Sequence, residues 1–78
     1  MTASMEDRLR LVFARVFTIA PESVTTDSKP QTVAGWNSAG HLNLVLELEA
    51  EFNIQLSDEE VVTMVTFQAV RDAVANHL

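Results

Sequence analysis

The sequence predicts an all-α fold, a small four-helix bundle with three main helices, a short third helix and a long first loop. Apolar residues recur at steps of three and four along several stretches, which is typical of amphipathic helices. Glycine and proline are scarce, at two each, and no segment shows the strict alternation of a half-buried strand. The 78 residues are enough for one domain, which we place at residues 1–78.

The first helix is predicted to begin behind Ser4 and to end near Ile19. Ser4 is a favourable N-cap residue, and Asp7, three residues on, is a weak capping-box partner. Charged residues occupy one face of this helix, and the other face is apolar. The apolar face consists of Met5, Leu9, Val12, Phe13, Val16 and Phe17.

Residues 20–36 form the long first loop. Pro21, Pro30 and Gly35, together with several serines and threonines, interrupt the helical pattern there. Loops of this length in small domains are either functional or held down by apolar anchors. The candidate anchors are Val24, Val33 and Trp36.

Three further helices are predicted, each with its own boundary signals. The second spans Ser38–Phe52 and ends at Asn53, a plausible helix stop. Ser57–Glu60 reads SDEE, a capping box that begins the short third helix. Thr66 caps the last helix. The apolar face of that helix consists of Phe67, Val70, Val74 and Leu78.

The second helix carries apolar residues on two sides of a helical wheel of about 100° per residue. The core face consists of Leu44, Val45, Leu48 and Phe52, with His41 beside them. Leu42 and Leu46 fall on another flank, which also carries Asn43, Glu47 and Ala50. Two leucines one turn apart among polar residues favour a partner-binding stripe. The alternative is that both leucines cover the third helix or the long loop.

The charge balance limits the partners. Eleven acids against five bases give a formal net charge of −6, which disfavours nucleic acid and anionic membranes as partners. The acids at 47–51 and 58–60 are interpreted as a recognition surface for basic proteins or as a solvated face. With no long apolar run and no signal-peptide pattern after Met1, we expect a cytoplasmic protein without membrane insertion.

Ser38 is the candidate reactive residue, because two capping residues stand side by side at the start of the second helix. Either Asn37 or Ser38 can accept the first-turn hydrogen bond, which leaves the other side chain free. A free hydroxyl at a helix N-terminus lies in a positive field that favours an attached phosphate. These residues alone permit a phospho-linked Ser38 and do not require it.

One segment resembles the attachment motif of acyl carrier proteins: Gly35–Val45, which reads GWNSAGHLNLV. In that family the core of the motif is Asp-Ser-Leu, often after Gly-Trp, and the following helix ends in Leu-Glu-x-Glu-Phe. Here that ending is Leu48–Phe52, which reads LEAEF. Weaker similarities lie in Pro21–Val24, like the family's first-loop turn, and in Phe52–Glu60, like the start of its third helix. The resemblance covers about residues 12–74.

The resemblance implies a carrier and not an enzyme. Ser38 would hold a 4′-phosphopantetheine arm through a phosphodiester, and the thiol of the arm would carry acyl groups. The implied partners are a phosphopantetheinyl transferase and acyl-transferring or acyl-activating enzymes with basic docking surfaces. The carrier itself is expected to be a monomer. The candidate partner-binding residues are Asn37, Ala39, Leu42, Asn43, Leu46, Glu47 and Ala50. Peptide-synthetase carriers often resemble Gly-Gly-x-Ser and are less acidic, so we expect an acyl cargo, as in fatty-acid biosynthesis or other lipid metabolism.

Two positions depart from the family motif: Asn37 stands in place of the aspartate and Ala39 in place of the leucine. The first change removes a carboxylate close to the metal-dependent transfer of the arm, and the second removes an apolar contact with the transferase. We therefore expect slow modification by a transferase shaped for Asp-Ser-Leu. The departures also favour the alternative function, a carrier-like helical protein-interaction module that never takes the arm.

Other candidate catalytic or metal-binding arrangements have weaker support in the sequence. His41 lies on the apolar face and is expected to be a core or loop-bonding residue, and His77, near the C-terminus, is expected to be solvated. No serine–histidine–acid set has convincing spacing, and a chain without cysteine has no thiolate metal site. A calcium-binding loop that starts at Asp27 fails, because its third and twelfth positions hold Lys29 and Ser38.

Overall fold

The computed structural model describes residues 4–78, and the first three residues of the predicted domain lie outside the described range. Within that range there are four α-helices and no strand. The helices are α1 Met5–Phe17, α2 Ser38–Phe52, α3 Asp58–Thr63 and α4 Phe67–Ala75, with a short 3₁₀ turn at Pro21–Ser23. The prediction of an all-helical fold with a long first loop is confirmed, and the arrangement is consistent with a small helical bundle.

Each helix begins at a capping residue that the sequence predicts. The side-chain oxygen of each cap accepts a hydrogen bond from the amide three residues on. The caps are Ser4, Asn37, Ser57 and Thr66. At α3 the capping box is complete, because Glu60 also accepts the amide hydrogen of Ser57 at 2.9 Å. These local bonds satisfy amides that the first turn of a helix leaves without intrahelical partners.

The ends of the helices are set by the backbone. Thr18 and Asn53 adopt left-handed conformations, with φ of 54° and 53°. Asn53 is the predicted stop of α2, whereas α1 ends before Thr18, short of the predicted end near Ile19. The predicted apolar face of α4 also needs a correction. Leu78 is 67% exposed, because it lies beyond the end of the helix at Ala75.

The core is built around the aromatic rings of α1, α4 and the first loop. The ring centroid of Phe13 lies 5.8 Å from that of Phe17 and 5.2 Å from those of Trp36 and Phe67. The predicted loop anchors Val24, Val33 and Trp36 are buried. The predicted core face of α2 is buried as well, at Leu44, Val45, Leu48 and Phe52. Together these residues fix the direction from which the loop reaches α2.

Two main-chain oxygens tie the first loop to the helices. The carbonyl of Ser28 accepts the amide hydrogen of Phe67 at 2.8 Å, which joins the loop to the start of α4. The carbonyl of Val24 accepts a hydrogen bond from the guanidinium of Arg10 on α1 at 3.2 Å. In residues 4–78, none of the helices has the length and apolar character needed to cross a membrane.

Candidate functional site

Ser38 is the first residue of α2, and its side chain is exposed. The amide of Gly40 donates a hydrogen bond to Oδ1 of Asn37 at 2.9 Å, so Asn37 is the residue that caps the helix. Within residues 4–78, the Ser38 hydroxyl forms no hydrogen bond. Of the two caps that the sequence leaves open, the structure selects Asn37 and leaves the serine hydroxyl free.

The electrostatic field at Ser38 favours an anion. The amides of Ser38 and Ala39 belong to the first turn of α2, where donors have no partner within the helix. The helix dipole adds a partial positive charge at the same end. The first turn of α2 contains no acidic residue to offset that charge. A phosphodiester on Ser38 therefore fits the local field.

A close backbone contact sets the first loop against the first turn of α2. A Cβ atom at Gly40 would lie 1.9 Å from the carbonyl oxygen of Gly35 and 3.1 Å from the ring of Phe17. Position 40 therefore accepts only glycine unless the loop moves. Gly35 has a φ of 89°, a conformation that also favours glycine. The sequence does not identify this role of Gly40, because the contact depends on where the loop passes.

His41 forms hydrogen bonds through both nitrogens of its ring. Nδ1 accepts the indole hydrogen of Trp36 at 2.9 Å, and Nε2 lies 2.7 Å from the carbonyl oxygen of Val61. The rings of Trp36 and His41 also stack, with 6.2 Å between their centroids and 16° between their planes. The expectation that His41 is a loop-bonding residue is confirmed. Neither ring nitrogen is left free to act as a base on Ser38.

A mostly apolar cleft of about 280 Å³ opens beside Ser38. Its lining residues are Pro30, Trp36, Asn37, Ser38, His41, Val62, Met64 and Val65. The sequence reasoning does not identify Val62 and Val65, which are 74% and 57% exposed. The available signal is the adjacent pair Val61 and Val62, since a surface helix turns only one of two neighbours inward. A larger cavity of about 430 Å³ lies under the first loop and shares no lining residue with the cleft.

The leucine stripe of α2 faces solvent. Leu42 is 60% exposed and Leu46 is 65% exposed, so the alternative in which they cover α3 or the first loop is wrong. Most of the other candidate partner-binding residues are also exposed: Asn37, Ala39, Asn43 and Ala50. Glu47 differs, because the guanidinium of Arg15 on α1 bonds its carboxylate at 2.9 Å. Its charge is therefore already paired within the fold.

Several of the acids predicted to form a recognition surface have partners inside the molecule. The carboxylate of Glu51 bonds the guanidinium of Arg8 at 3.1 Å. The carboxylate of Glu49 accepts the amide hydrogen of Leu56 at 2.9 Å, which closes the turn after α2. The remaining exposed acids at the start of α3 are Asp58 and Glu59.

His77 lies at the surface, as expected, and it also has a partner within the fold. Its Nε2 lies 3.0 Å and 2.9 Å from the two carboxylate oxygens of Glu60, and its side chain is 29% exposed. The turn after α4 brings His77 back onto α3, a contact that neither segment predicts alone. A hydrogen bond from the Ser57 backbone, assisted by His77, holds the pKa of Glu60 below its usual value.

A comparison of the chain with models of known protein families found no match. The candidate site is therefore defined by its geometry: an open serine hydroxyl at a helix N-terminus, an adjacent cleft and an exposed leucine stripe. Chemically, the site can present a hydroxyl to another protein and hold an attached anion. Within residues 4–78, no basic side chain is hydrogen-bonded to that hydroxyl.

Proposed function

We propose that this protein is an acyl carrier protein, cytoplasmic and monomeric, with a 4′-phosphopantetheine arm on Ser38. The observation that carries the proposal is the cap on α2. Asn37 accepts the hydrogen bond of Gly40, which leaves the Ser38 hydroxyl open in the positive field of the helix N-terminus. When attached, the arm supplies a terminal thiol for acyl groups. The residues of this chain hold its phosphate at the helix start and present the arm to partners.

In this proposal the chain is not a catalyst. Within residues 4–78 no basic side chain is hydrogen-bonded to the Ser38 hydroxyl, and His41 is committed to Trp36 and Val61. A phosphopantetheinyl transferase would therefore provide the base and the divalent cation for the transfer. The carrier would contribute an accessible nucleophile at the rigid start of α2.

The proposed partners are enzymes with basic docking surfaces around an apolar depression. The formal net charge of −6 complements such surfaces. Leu42 and Leu46 are the large exposed apolar residues of α2. Nucleic acid is not part of the proposal, because its phosphates repel an acidic chain. Membrane insertion is not part of it either, because no helix in residues 4–78 is long and apolar enough to cross a membrane.

Intact-mass spectrometry tests the proposal directly. Incubation with coenzyme A and a broad-specificity phosphopantetheinyl transferase should add the mass of one phosphopantetheine group. Ser38→Ala should abolish the gain with no change in helicity by circular dichroism. Ser57→Ala is the matched control, because Ser57 also stands at a helix start but its side chain caps α3. A gain that persists in Ser38→Ala would place the arm elsewhere and end the assignment.

The second candidate is a carrier-like helical module that binds partners without the arm. The observation in its favour is the pair Asn37 and Ala39, where the family has aspartate and leucine. The same mass measurement separates the two candidates. A folded protein that gains no mass with permissive transferases would support the unmodified module.

A further inference from the structure

The short helix α3 is held in place mainly by contacts from outside it. It has six residues and none of them is buried; Val61 alone among them packs partly buried against the core. Leu56 and Met64, which flank α3 in the chain, are buried. An isolated helix this short is not stable. Side-chain bonds to α3 therefore have a large effect on its position.

His41 supplies one such bond at the end of α3. In a continuing helix the carbonyl of Val61 would accept the amide hydrogen of Val65, but Val65 donates to Thr63 at 2.9 Å. The Val61 oxygen is instead bonded to Nε2 of His41 at 2.7 Å. His41 thus satisfies a carbonyl that the end of α3 leaves without an intrahelical partner.

Trp36 decides which nitrogen of His41 can donate. An indole N–H is a donor only, so Nδ1 of His41 must accept from it and carries no proton. The proton of the neutral ring then lies on Nε2, the nitrogen that faces the Val61 oxygen. A directed pair of hydrogen bonds therefore joins the first loop to α2 and α2 to α3.

The bond between His41 and Val61 joins two parts of the chain that line the cleft beside Ser38. Trp36, Ser38 and His41 belong to the end of the first loop and the start of α2, and Val62 and Val65 belong to α3 and the turn after it. Among the described residues, His41 is the one α2 side chain that is hydrogen-bonded to α3. The separation of these two parts of the lining therefore depends on this imidazole.

We propose that His41 is a positioning residue that holds α3 against the start of α2 and so sets how far the cleft beside Ser38 opens. The bond to Val61 restrains α3, whereas the bond from Trp36 orients the imidazole.

Two substitutions separate the two bonds of His41. In His41→Asn the amide oxygen lies as many bonds from Cα as Nδ1 does, so it can still accept from Trp36 but stops short of Val61. In His41→Gln the amide nitrogen lies as many bonds from Cα as Nε2 does, so it can still donate to Val61. The measurement is amide hydrogen exchange by NMR in the unloaded protein, which needs no assumption about Ser38.

The expected result is selective. In His41→Asn the amides of residues 61–64 should exchange roughly three- to tenfold faster, the factor for one lost hydrogen bond. The amides of Val70 and Val74 in α4 should report the global stability and should change less. His41→Gln should keep the exchange of α3 near that of the parent. Equal factors in α3 and α4, or no difference between the two variants, would overturn the proposal.

The parent protein provides a test that does not depend on a variant's folding. Long-range proton–nitrogen correlation spectra distinguish protonated from unprotonated imidazole nitrogens. The geometry requires an unprotonated Nδ1 and a protonated Nε2 in His41, with the single indole resonance of Trp36 shifted by its hydrogen bond. A neutral ring protonated on Nδ1 would exclude both bonds and would overturn the proposal even if His41→Asn fails to fold.

Discussion

Oδ1 of Asn37 accepts the amide hydrogen of Gly40 at 2.9 Å, so Asn37 caps α2 and the hydroxyl of the neighbouring Ser38 stays free. Asparagine and aspartate cap helices about equally well. An aspartate in place of Asn37, as in the acyl carrier motif, would therefore change the charge and keep the cap. Ala39 is exposed, so a leucine there would meet solvent or a partner and would not disturb the core.

The first prediction concerns recognition by a transferase that is shaped for Asp-Ser-Leu. The double change Asn37→Asp with Ala39→Leu should raise kcat/KM of such a transferase severalfold. The carboxylate helps to place a divalent cation, and the leucine adds apolar surface that the enzyme can bury. The melting temperature should change little. The control is Asn76→Asp with Ala75→Leu, the same chemical changes at the exposed end of α4, which should leave the rate unaltered. Equal rates for the parent and for Asn37→Asp/Ala39→Leu would show that the departures are neutral.

The second prediction concerns the leucine stripe and uses the transferase as the measured partner. Leu46→Ala should speed dissociation roughly fivefold, as for an interface contact of about 1 kcal/mol. Leu11→Ala is the control, because Leu11 is also exposed, at 52%, but lies on α1. Surface plasmon resonance measures both variants. Equal dissociation rates for the two variants would show that the stripe is not the docking surface.

The third prediction concerns the charges beside that stripe. Association with the transferase should slow as salt rises, since exposed charges are screened over about 10 Å at 0.1 M ionic strength. Glu47→Lys should also slow association. Because Glu47 is paired with Arg15, Arg15→Ala is needed as a control that breaks the same pair but leaves the acid in place. It should not slow association. Association that is independent of salt would contradict an electrostatic role for this face.

The fourth prediction concerns the contact between the first loop and α2. Gly40→Ala places a Cβ atom 1.9 Å from the carbonyl oxygen of Gly35, so the loop must move. The free energy of unfolding should fall by about 1–3 kcal/mol, as for an overpacked site, although alanine is the better helix former. Asn43→Ala, an exposed change one turn along α2, should not destabilise the protein. Chemical denaturation measures the free energy of unfolding of both variants. A Gly40→Ala variant as stable as the parent would show that the first loop moves away from α2 at little cost.

The fifth prediction concerns acid and the capping box of α3. The backbone hydrogen bond from Ser57, with His77, lowers the pKa of Glu60 in the folded state. A lowered pKa contributes stability that is present above the usual titration range of a carboxyl group and is lost as the pH falls through the lowered value. Glu60→Gln keeps a side chain that can close the capping box but cannot titrate.

Melting temperatures measured across the acid range test this dependence. The parent should be more stable than Glu60→Gln near neutral pH, and the difference should shrink as the pH falls below the usual carboxyl range. Comparing the two proteins removes the contribution of the other acids, because both proteins share them. A difference that stays constant across the acid range would show that Glu60 contributes nothing through its charge.

The helices of this protein are predictable because the signals for them are local. A cap and the amide that it satisfies are three residues apart, as in Ser57 and Glu60. The apolar periodicity needs only one helix at a time, and it identifies Phe13, Leu44 and Val70 as core residues before any packing is known. The open hydroxyl of Ser38 follows from the same kind of pattern once one of two neighbouring caps is chosen.

The sequence by itself determined the four helices, the caps of α1, α3 and α4, most of the core faces and the serine at the start of α2. Only the tertiary structure decided that Asn37 caps α2 and which polar side chains bond from one element to another. His41 bonds Val61 from 20 residues away, and Arg15 bonds Glu47 from 32 residues away. His77 meets Glu60 because the end of α4 returns to α3. Such contacts depend on how helices pack and where loops pass, and no spacing along the chain encodes those positions, whereas a cap or an apolar face is settled within one or two turns.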